Sequence, residues 1–444
     1  MLYLAPAFFW ITNVQWWLFL IAIIYHGAFI GIFALATHAL LNKKLHPLRF
    51  ALAVAALWTI MEWARSLGFV AVPVGFIGYQ LADLLALVQI SQYTGIYGVS
   101  FLAALINTAF YLSLKNPRPA GKIITGGLAI AALALWWGSG AIELSENKAA
   151  TGVARVAVIQ GNIKNAVIFE TDEITRQLDI YEKLSQANVA SAPDLIVWPE
   201  TAVPCFLFHP QRQDILDKVE TVVRRLGVPV LTGTQYFFVE SSQKIAQNAA
   251  ALFKSDGTAA GIYAKMKLVP FMEHAPAPGL IPLIRKLGFP CIYIPGQNHT
   301  VFQLRQLRFS SVICFETLFP NLVRQFPRKG AAFLINITND SQALGSMPFY
   351  YRKNLDIVRV RAIENRRSFV RVANNGVSAA IDPYGRLTQE APIGQQTAFT
   401  SLVPLNKEAT VYTRFGDWII ALSVVISLAN FWSLPKPGRR NKIA

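Results

Sequence analysis

The sequence predicts a two-part protein, a bundle of membrane-crossing α-helices joined to a layered α/β domain outside the membrane. Three observations predict it. Hydrophobic residues make up 53% of the 444 residues and charged residues only 15%, against about 25% charged in an ordinary soluble protein. The apolar residues are bunched, since stretches 1–42, 84–114, 123–142 and 418–435 contain no Asp, Glu, Lys or Arg. Between 143 and 417, charges of both signs and turn residues recur, and strand-like runs alternate with helical ones. That alternation is the pattern of helices covering sheets.

Crossing the hydrocarbon takes about 20 predominantly apolar residues, so each uncharged run is long enough or nearly so. A weaker candidate at 50–67 carries Glu62 and Arg65. Three apart on one helical face, they could pair with each other or meet the interface. Lys and Arg in short loops mark the cytoplasmic side. Lys43, Lys44 and Arg49 follow the first run, Lys115, Arg118 and Lys122 separate the next two, and the tail reads "KPGRRNKIA". Placing all three groups inside gives a consistent alternation, with 1–142 as a bundle of about four spans. The 143–416 domain then lies outside, and 417–444 hold a last span and a basic cytoplasmic tail. The first residue starts outside with neither a charged n-region nor a cleavage site. Either the opening stretch inserts without one, or spans upstream precede it. The net charge of +16 is concentrated in these loops and the tail, where orientation and anionic headgroups account for it. Without a basic helix or an aromatic stacking module, nucleic acid is not an expected partner.

In the outer domain, strands are expected at 154–162, 194–200, 228–236, 301–316, 331–340 and 368–383, where apolar and β-branched residues dominate. Several runs are nearly continuous, as in strands buried on both faces. Helices are expected at 172–187, at 211–226 (ending at Gly227) and at 351–366. At about 270 residues the domain can bury a full core.

Polar groups close several of these strands. "IVWPE" ends in Glu200, Lys265 follows a hairpin around Ser255-Asp256-Gly257 in "YAKMKLVPFME", and "SSVICFE" carries Cys314 and Glu316. Strand ends at one edge of an α/β sheet are the usual place for a site. Taken singly, Cys314 could be a small buried hydrophobe, Glu200 a helix cap, and Lys265 with Lys267 a solvated strand edge.

Taken in order, "WPE", "YxK" with "LVPFxE", and "ICxE" resemble the nitrilase superfamily. More narrowly, they resemble the bacterial apolipoprotein N-acyltransferases, which join a nitrilase-like domain to membrane helices. The likeness runs from about Leu57 to Trp418 and includes "ITND", "ANNGVSAAIDPYG" and "RFGDW". It implies an αββα sandwich, with Glu200 as general base, Cys314 as nucleophile and Lys265 as the cation near the oxyanion. The physics agrees. A thiolate needs a base or cation nearby at neutral pH, and a fixed ammonium stabilises the oxyanion of acyl transfer. The resemblance further implies Glu273 beside the site, orienting Lys265 or the incoming amine, with Glu316 behind it and Phe315 and Asn339 positioning substrate. It implies a phospholipid acyl donor, typically phosphatidylethanolamine, and a diacylated apolipoprotein acceptor. It also implies a bacterial cytoplasmic membrane with the catalytic domain on the periplasmic side. No cofactor is expected, and the six histidines form no recognisable metal motif.

Residues 271–299, rich in Pro, Gly and large apolar side chains, read as a lid or lipid-facing arm. The chain departs from the family at Phe169, Phe315 and Gln342, where Trp, Tyr and Trp are common, and in having fewer early spans. Cys205 and Cys291 share the outer domain, where oxidation is possible, and sequence does not say whether they pair. Two alternatives stand beside acyl transfer: a membrane-tethered amidase or nitrilase-type hydrolase, and a degenerate lipoprotein-binding homologue. Retention of Glu200, Lys265 and Cys314 speaks against the last, and the spans and apolar arm speak against the first.

Overall fold

The computed structural model describes residues 4–43, 45–146, 150–164, 170–240, 243–275, 277–287, 293–340 and 347–432. Phe169, Cys291, Gln342 and the basic tail therefore lie outside the described residues. Four helices are long and apolar enough to cross a membrane: Trp16–Leu41, Pro47–Ala64, Ser91–Lys115 and Pro119–Ser145. The last apolar run forms Trp418–Phe431, whose 14 residues span roughly 21 Å at 1.5 Å per residue. Its end lies beside the basic loop, where Lys43 Nζ donates to the Phe431 carbonyl and Arg49 Nε donates to Asn430 Oδ1 at 3.0 Å.

Glu62 and Arg65 do not pair as their spacing allowed. Glu62 Oε1 accepts from Trp58 Nε1 at 2.9 Å and from the Ile77 amide at 2.8 Å, closing the short helix Ile77–Gln80. Arg65 donates to His26 Nδ1 at 3.3 Å and to the Val74 carbonyl at 2.8 Å. Apart from Trp58, one turn back on the same helix, these partners are ones that sequence spacing does not bring near, and polar groups in apolar surroundings need such partners.

The outer domain opens with β1 (Gly152–Gln160), β2 (Leu195–Val197), β3 (Val203–Phe206), β4 (Val230–Glu240), β5 (Gln243–Phe253) and β6 (Ala259–Ala264). It continues with β7 (Phe302–Leu304), β8 (Leu307–Ile313), β9 (Phe333–Thr338), β10 (Ser368–Ala373), β11 (Ala379–Ile381) and β12 (Leu387–Glu390), then β13 (Thr397–Leu405). One sheet has the order β13-β1-β2-β4-β5-β6 with β3 beside β4, and the other β12-β11-β10-β9-β8-β7. Both have parallel centres, β1-β2-β4 and β8-β9-β10, flanked by antiparallel strands. The stretch 301–316, expected as one strand, is two, because the chain turns at Arg305 with φ +51°. No Gly or Pro marks that turn. Stretch 368–383 is likewise split into β10 and β11.

Alternation along β1 sets the layers. Ala154, Val156 and Val158 join the core shared with the second sheet, whereas Ala157 and Ile159 pack under helices Thr171–Val189 and Gln213–Leu226. Gly227 caps the latter at φ +66°, a left-handed position that glycine adopts without strain. Helix Pro348–Asn365 lies against β10 and brings Tyr351, Leu355, Val358 and Ala362 to the larger core. The result is helix–sheet–sheet–helix.

That last helix also seals the domain to the membrane bundle. Gly95 breaks the Ser91–Lys115 helix (φ 66°, ψ −177°), and a Cβ there would lie 2.5 Å from the Tyr412 ring. The break frees the Ile96 amide, which donates to Glu364 Oε1 at 2.8 Å. Glu364 is ion-paired with Arg361, which also reaches Tyr79 Oη. Both charges are fully buried, so their mutual satisfaction ties the two parts together.

Candidate active site

Cys314 follows the last residue of β8 and opens a short 3-10 helix, Cys314–Leu318. Its φ of +48° is a left-handed conformation uncommon for a non-glycine residue, which aims the side chain off the strand end. Glu316, fully buried, holds this turn. Its Oε2 accepts from the Ile313 amide at 2.7 Å and its Oε1 from the Met266 amide at 2.7 Å, while Tyr263 Oη donates at 2.7 Å. One carboxylate thus clamps the Cys314 turn to the segment that follows Lys265.

Burial pushes the Glu316 carboxyl up to about 7, against the pull of these donors. Between 4.5 and about 7 the folded protein keeps a proton that the unfolded chain has released. The stability this group contributes is therefore complete below 4.5 and lost as pH climbs through about 7. The melting temperature of the native protein, measured against that of Glu316→Gln, is expected to fall as pH rises from about 5 to about 8. Parallel melting curves across that range would contradict it.

Glu200 opens the turn between β2 and β3, and Gly233 of β4 lets the strands close on it; a Cβ there would lie 2.5 Å from the Glu200 Cα. Glu200 Oε1 accepts from Lys265 Nζ at 3.2 Å and from Asn248 Nδ2 at 2.8 Å. Its Oε2 accepts from the Asn339 amide at 2.8 Å. Lys265, 1% exposed, also donates to Glu273 Oε1 at 2.9 Å. Asn248 donates to that oxygen at 3.0 Å, and Glu273 Oε2 accepts from the Val269 amide at 2.7 Å. Burial opposes the lysine's charge, but the Glu200 and Glu273 carboxylates outweigh it and hold the ammonium well above its ordinary pKa.

All three expected catalytic side chains line one cavity of about 340 Å³, within the size range of ligand pockets, about 300–1,000 Å³. Glu273, Phe315 and Asn339 line it as well, and Glu316 lies behind it. Its lining also includes apolar residues of the membrane part, Ala7, Trp10 and Val74, and of the outer domain, Leu318 and Phe349. Burial first, then the charge of Glu200, push the Cys314 thiol up, against the opposing Lys265 ammonium. At rest the sulfur is therefore a thiol beside a carboxylate, not a free thiolate.

Glu200 is followed by a strand, not the helix it could have capped, and Lys265 is buried rather than on a solvated edge. The sequence reading missed Asn248, Thr338, Asp340 and Arg371. Arg371, 1% exposed, donates to Asp340 Oδ2 at 2.7 Å and to Asn336 Oδ1, and Thr338 Oγ1 donates to Asp340 Oδ1 at 3.0 Å. A charge inside "SFVRVA" and an amide inside "QNAAALF" were the available signals, because a polar group in a buried strand needs a partner. Among the described residues, no three His, Cys, Asp or Glu are gathered to hold a metal ion. Cys205 is a buried free cysteine, and its partnership with Cys291 falls outside the described residues.

The described part of 271–299 contains Pro278–Leu280 and the helix Ile281–Lys286. Ala275 and Ile284 pack against Val14, Trp17 and Leu18 at the start of the first membrane-length helix, while Leu280, Leu283 and Leu287 face outward.

Residues 155–412 match the carbon-nitrogen hydrolase family, and residues 1–109 match the apolipoprotein N-acyltransferase N-terminal domain. An apolipoprotein N-acyltransferase of Geobacter metallireducens is 30% identical over 388 residues, which cover 84% of this chain and 73% of that protein. One of Chlorobaculum tepidum is 31% identical over 416 residues, covering 85% and 75%. Among solved structures, a mutant amidase of the nitrilase superfamily from Nesterenkonia AN1 aligns with a TM-score of 0.44 at 15% identity, covering 60% of this chain and 92% of that one.

Proposed function

The chain belongs to the apolipoprotein N-acyltransferase family of carbon-nitrogen hydrolases, and from that premise we propose how its residues perform lipoprotein N-acylation. It is a membrane acyltransferase of lipoprotein biosynthesis whose substrates are phospholipid and lipoprotein. The catalytic residues we assign are Glu200, Lys265 and Cys314. One observation carries the assignment: a carboxylate, an ammonium and a thiol distant in sequence meet in one cavity whose lining is otherwise largely apolar.

In the first half-reaction, Cys314 Sγ attacks the ester carbonyl of the donor as its proton passes to Glu200. The oxyanion forms beside the Lys265 ammonium. The ester C–O bond then breaks, the departing alkoxide takes the proton from Glu200, and a thioester remains on Cys314. In the second, the α-amine of the diacylglyceryl-cysteine attacks the thioester and gives a proton to Glu200. The C–S bond breaks and the sulfur recovers that proton. Glu273 shares Lys265 with Glu200 and keeps the ammonium fixed while the charge on Glu200 comes and goes.

Phosphatidylethanolamine is the donor we propose, and the periplasmic face of the bacterial inner membrane the location of the catalytic domain. Support for this orientation is that Lys43 and Arg49 meet the end of Trp418–Phe431, while the other end of that helix leads back to the domain. The division 1–142, 143–416 and 417–444 follows the same reading, and the outward leucines of the arm fit a lipid-facing role.

The test is the fate of a labelled acyl chain. Given labelled phosphatidylethanolamine and a diacylated lipopeptide with a free N-terminus, the protein should move label to the lipopeptide amine. Removal of the arm's apolar tip should slow that transfer. Label released as free fatty acid, with none on the lipopeptide, would instead indicate a hydrolase.

A further inference from the structure

Six charged side chains line the cavity: Glu200, Lys265, Glu273, Asp340, Lys353 and Arg371. Lys265 and Arg371 are each 1% exposed and held by carboxylates of the same lining, Glu200 with Glu273 and Asp340. Lys353 differs. Its side chain is 28% exposed, and its carboxylate partner Asp356, at 3.3 Å, is not part of the lining. Asp356 is also engaged by Arg359 at 3.1 Å. Because Asp356 is divided between Arg359 and Lys353, the Lys353 ammonium keeps charge to offer to the cavity.

Position points the same way. On helix Pro348–Asn365, Phe349, Lys353 and Ile357 recur every four residues, so they form one stripe along the cavity. Phe349 is 55% exposed and marks the mouth. Ile357 is buried at the inner end. Lys353 sits between them, one helical turn from each, with Asn354 beside it in the lining. A glycerophospholipid whose ester carbonyl lies at Cys314 has its phosphate about a glycerol's length away, so the phosphate needs a cation elsewhere in the same lining.

Resting on the acyl-enzyme reading above, we propose that Lys353 is the donor-specificity residue, binding the phosphodiester of the lipid headgroup one helical turn inside Phe349. The ammonium donates to a phosphate oxygen as a point charge, and this registers the ester over Cys314 while the acyl chain lies against Trp10 and Phe349.

The experiment follows thioester formation on Cys314 as phosphatidylethanolamine is titrated in mixed micelles, with the full chain. Lys353→Gln should raise the half-saturating donor concentration roughly tenfold, the order of one lost charge-assisted hydrogen bond. Maximal thioester and melting temperature should be unchanged, and Lys353→Arg should restore the native titration. With diacylglycerol, which has no phosphate, native protein and Lys353→Gln should behave alike, whether both are acylated or neither is. An unchanged phosphatidylethanolamine titration overturns the proposal, as does an equal loss with both lipids or a failure of Lys353→Arg to rescue. Inorganic phosphate that competes with donor in the native protein but not in Lys353→Gln supports the site. Inorganic phosphate binding that depends on Lys353, with lipid use that does not, assigns it to free phosphate and overturns it. Native protein that forms no thioester at all refutes the acyl-enzyme reading itself.

Discussion

Cys314→Ala is expected to abolish the thioester and to lower acyl transfer by on the order of 10⁴-fold or more, since nothing else in the cavity can form the intermediate. The cavity contains one thiol, and the other described cysteine, Cys205, is buried in a separate core under the helices Thr171–Val189 and Gln213–Leu226. Removing the sulfur should leave lipid binding and folding nearly intact. The positive φ at this position costs an alanine no more than a cysteine, and the Glu316 clamp on either side of the turn does not use the thiol. Equal thermal stability with no transfer is the expected pairing. Transfer that persists in the variant would mean the acyl chain moves without this intermediate.

Glu200→Gln should lower thioester formation by about 10² to 10⁴, the range for loss of a positioned general base. It should also move the thiol in the opposite sense from activity. The charge of Glu200 is one of the two main causes that raise the Cys314 pKa, the other being burial, and Lys265 opposes both. Neutralising Glu200 leaves the ammonium less opposed, so the sulfur should ionise at lower pH and react faster with a small neutral alkylating agent at fixed pH. Faster alkylation together with slower acylation separates a proton acceptor from a structural carboxylate. If both rates fall together, Glu200 acts by holding the site's shape, through the Asn248 and Asn339 contacts, and not as a base.

Much of the architecture was legible in the sequence because its causes are local. Three of the uncharged runs and the weaker candidate at 50–67 became the four membrane-length helices, the run at 418–435 became a helix of 14 residues, and nearly continuous apolar stretches became the buried parallel centres β1-β2-β4 and β8-β9-β10. The residues closing β2, β6 and β8 were visible because a lone carboxylate, lysine or cysteine after an apolar run stands out. What was not legible depends on which faces meet. The Glu62 and Arg65 side chains turned to Ile77, His26 and Val74 because the chain folds back between residues 65 and 77. Asn248 became the bridge between Glu200 and Glu273 only once β5 was set beside β4 and β6. Arg371 meets Asn336 across the parallel strands β9 and β10 and Asp340 just beyond the end of β9, a pairing register that residue order does not reveal. Nothing in the sequence sets Lys353 apart, and only the fold places it with Phe349 and Ile357 along the cavity lining.

The convergence of Glu200, Lys265 and Cys314 on one cavity is tested most directly by the mass of the peptide carrying Cys314 after incubation with phospholipid. It should gain one acyl group, labile to hydroxylamine, and lose it when a diacylated lipopeptide with a free amine is added. A Cys314 peptide of unchanged mass while the lipopeptide is nonetheless acylated would contradict the account.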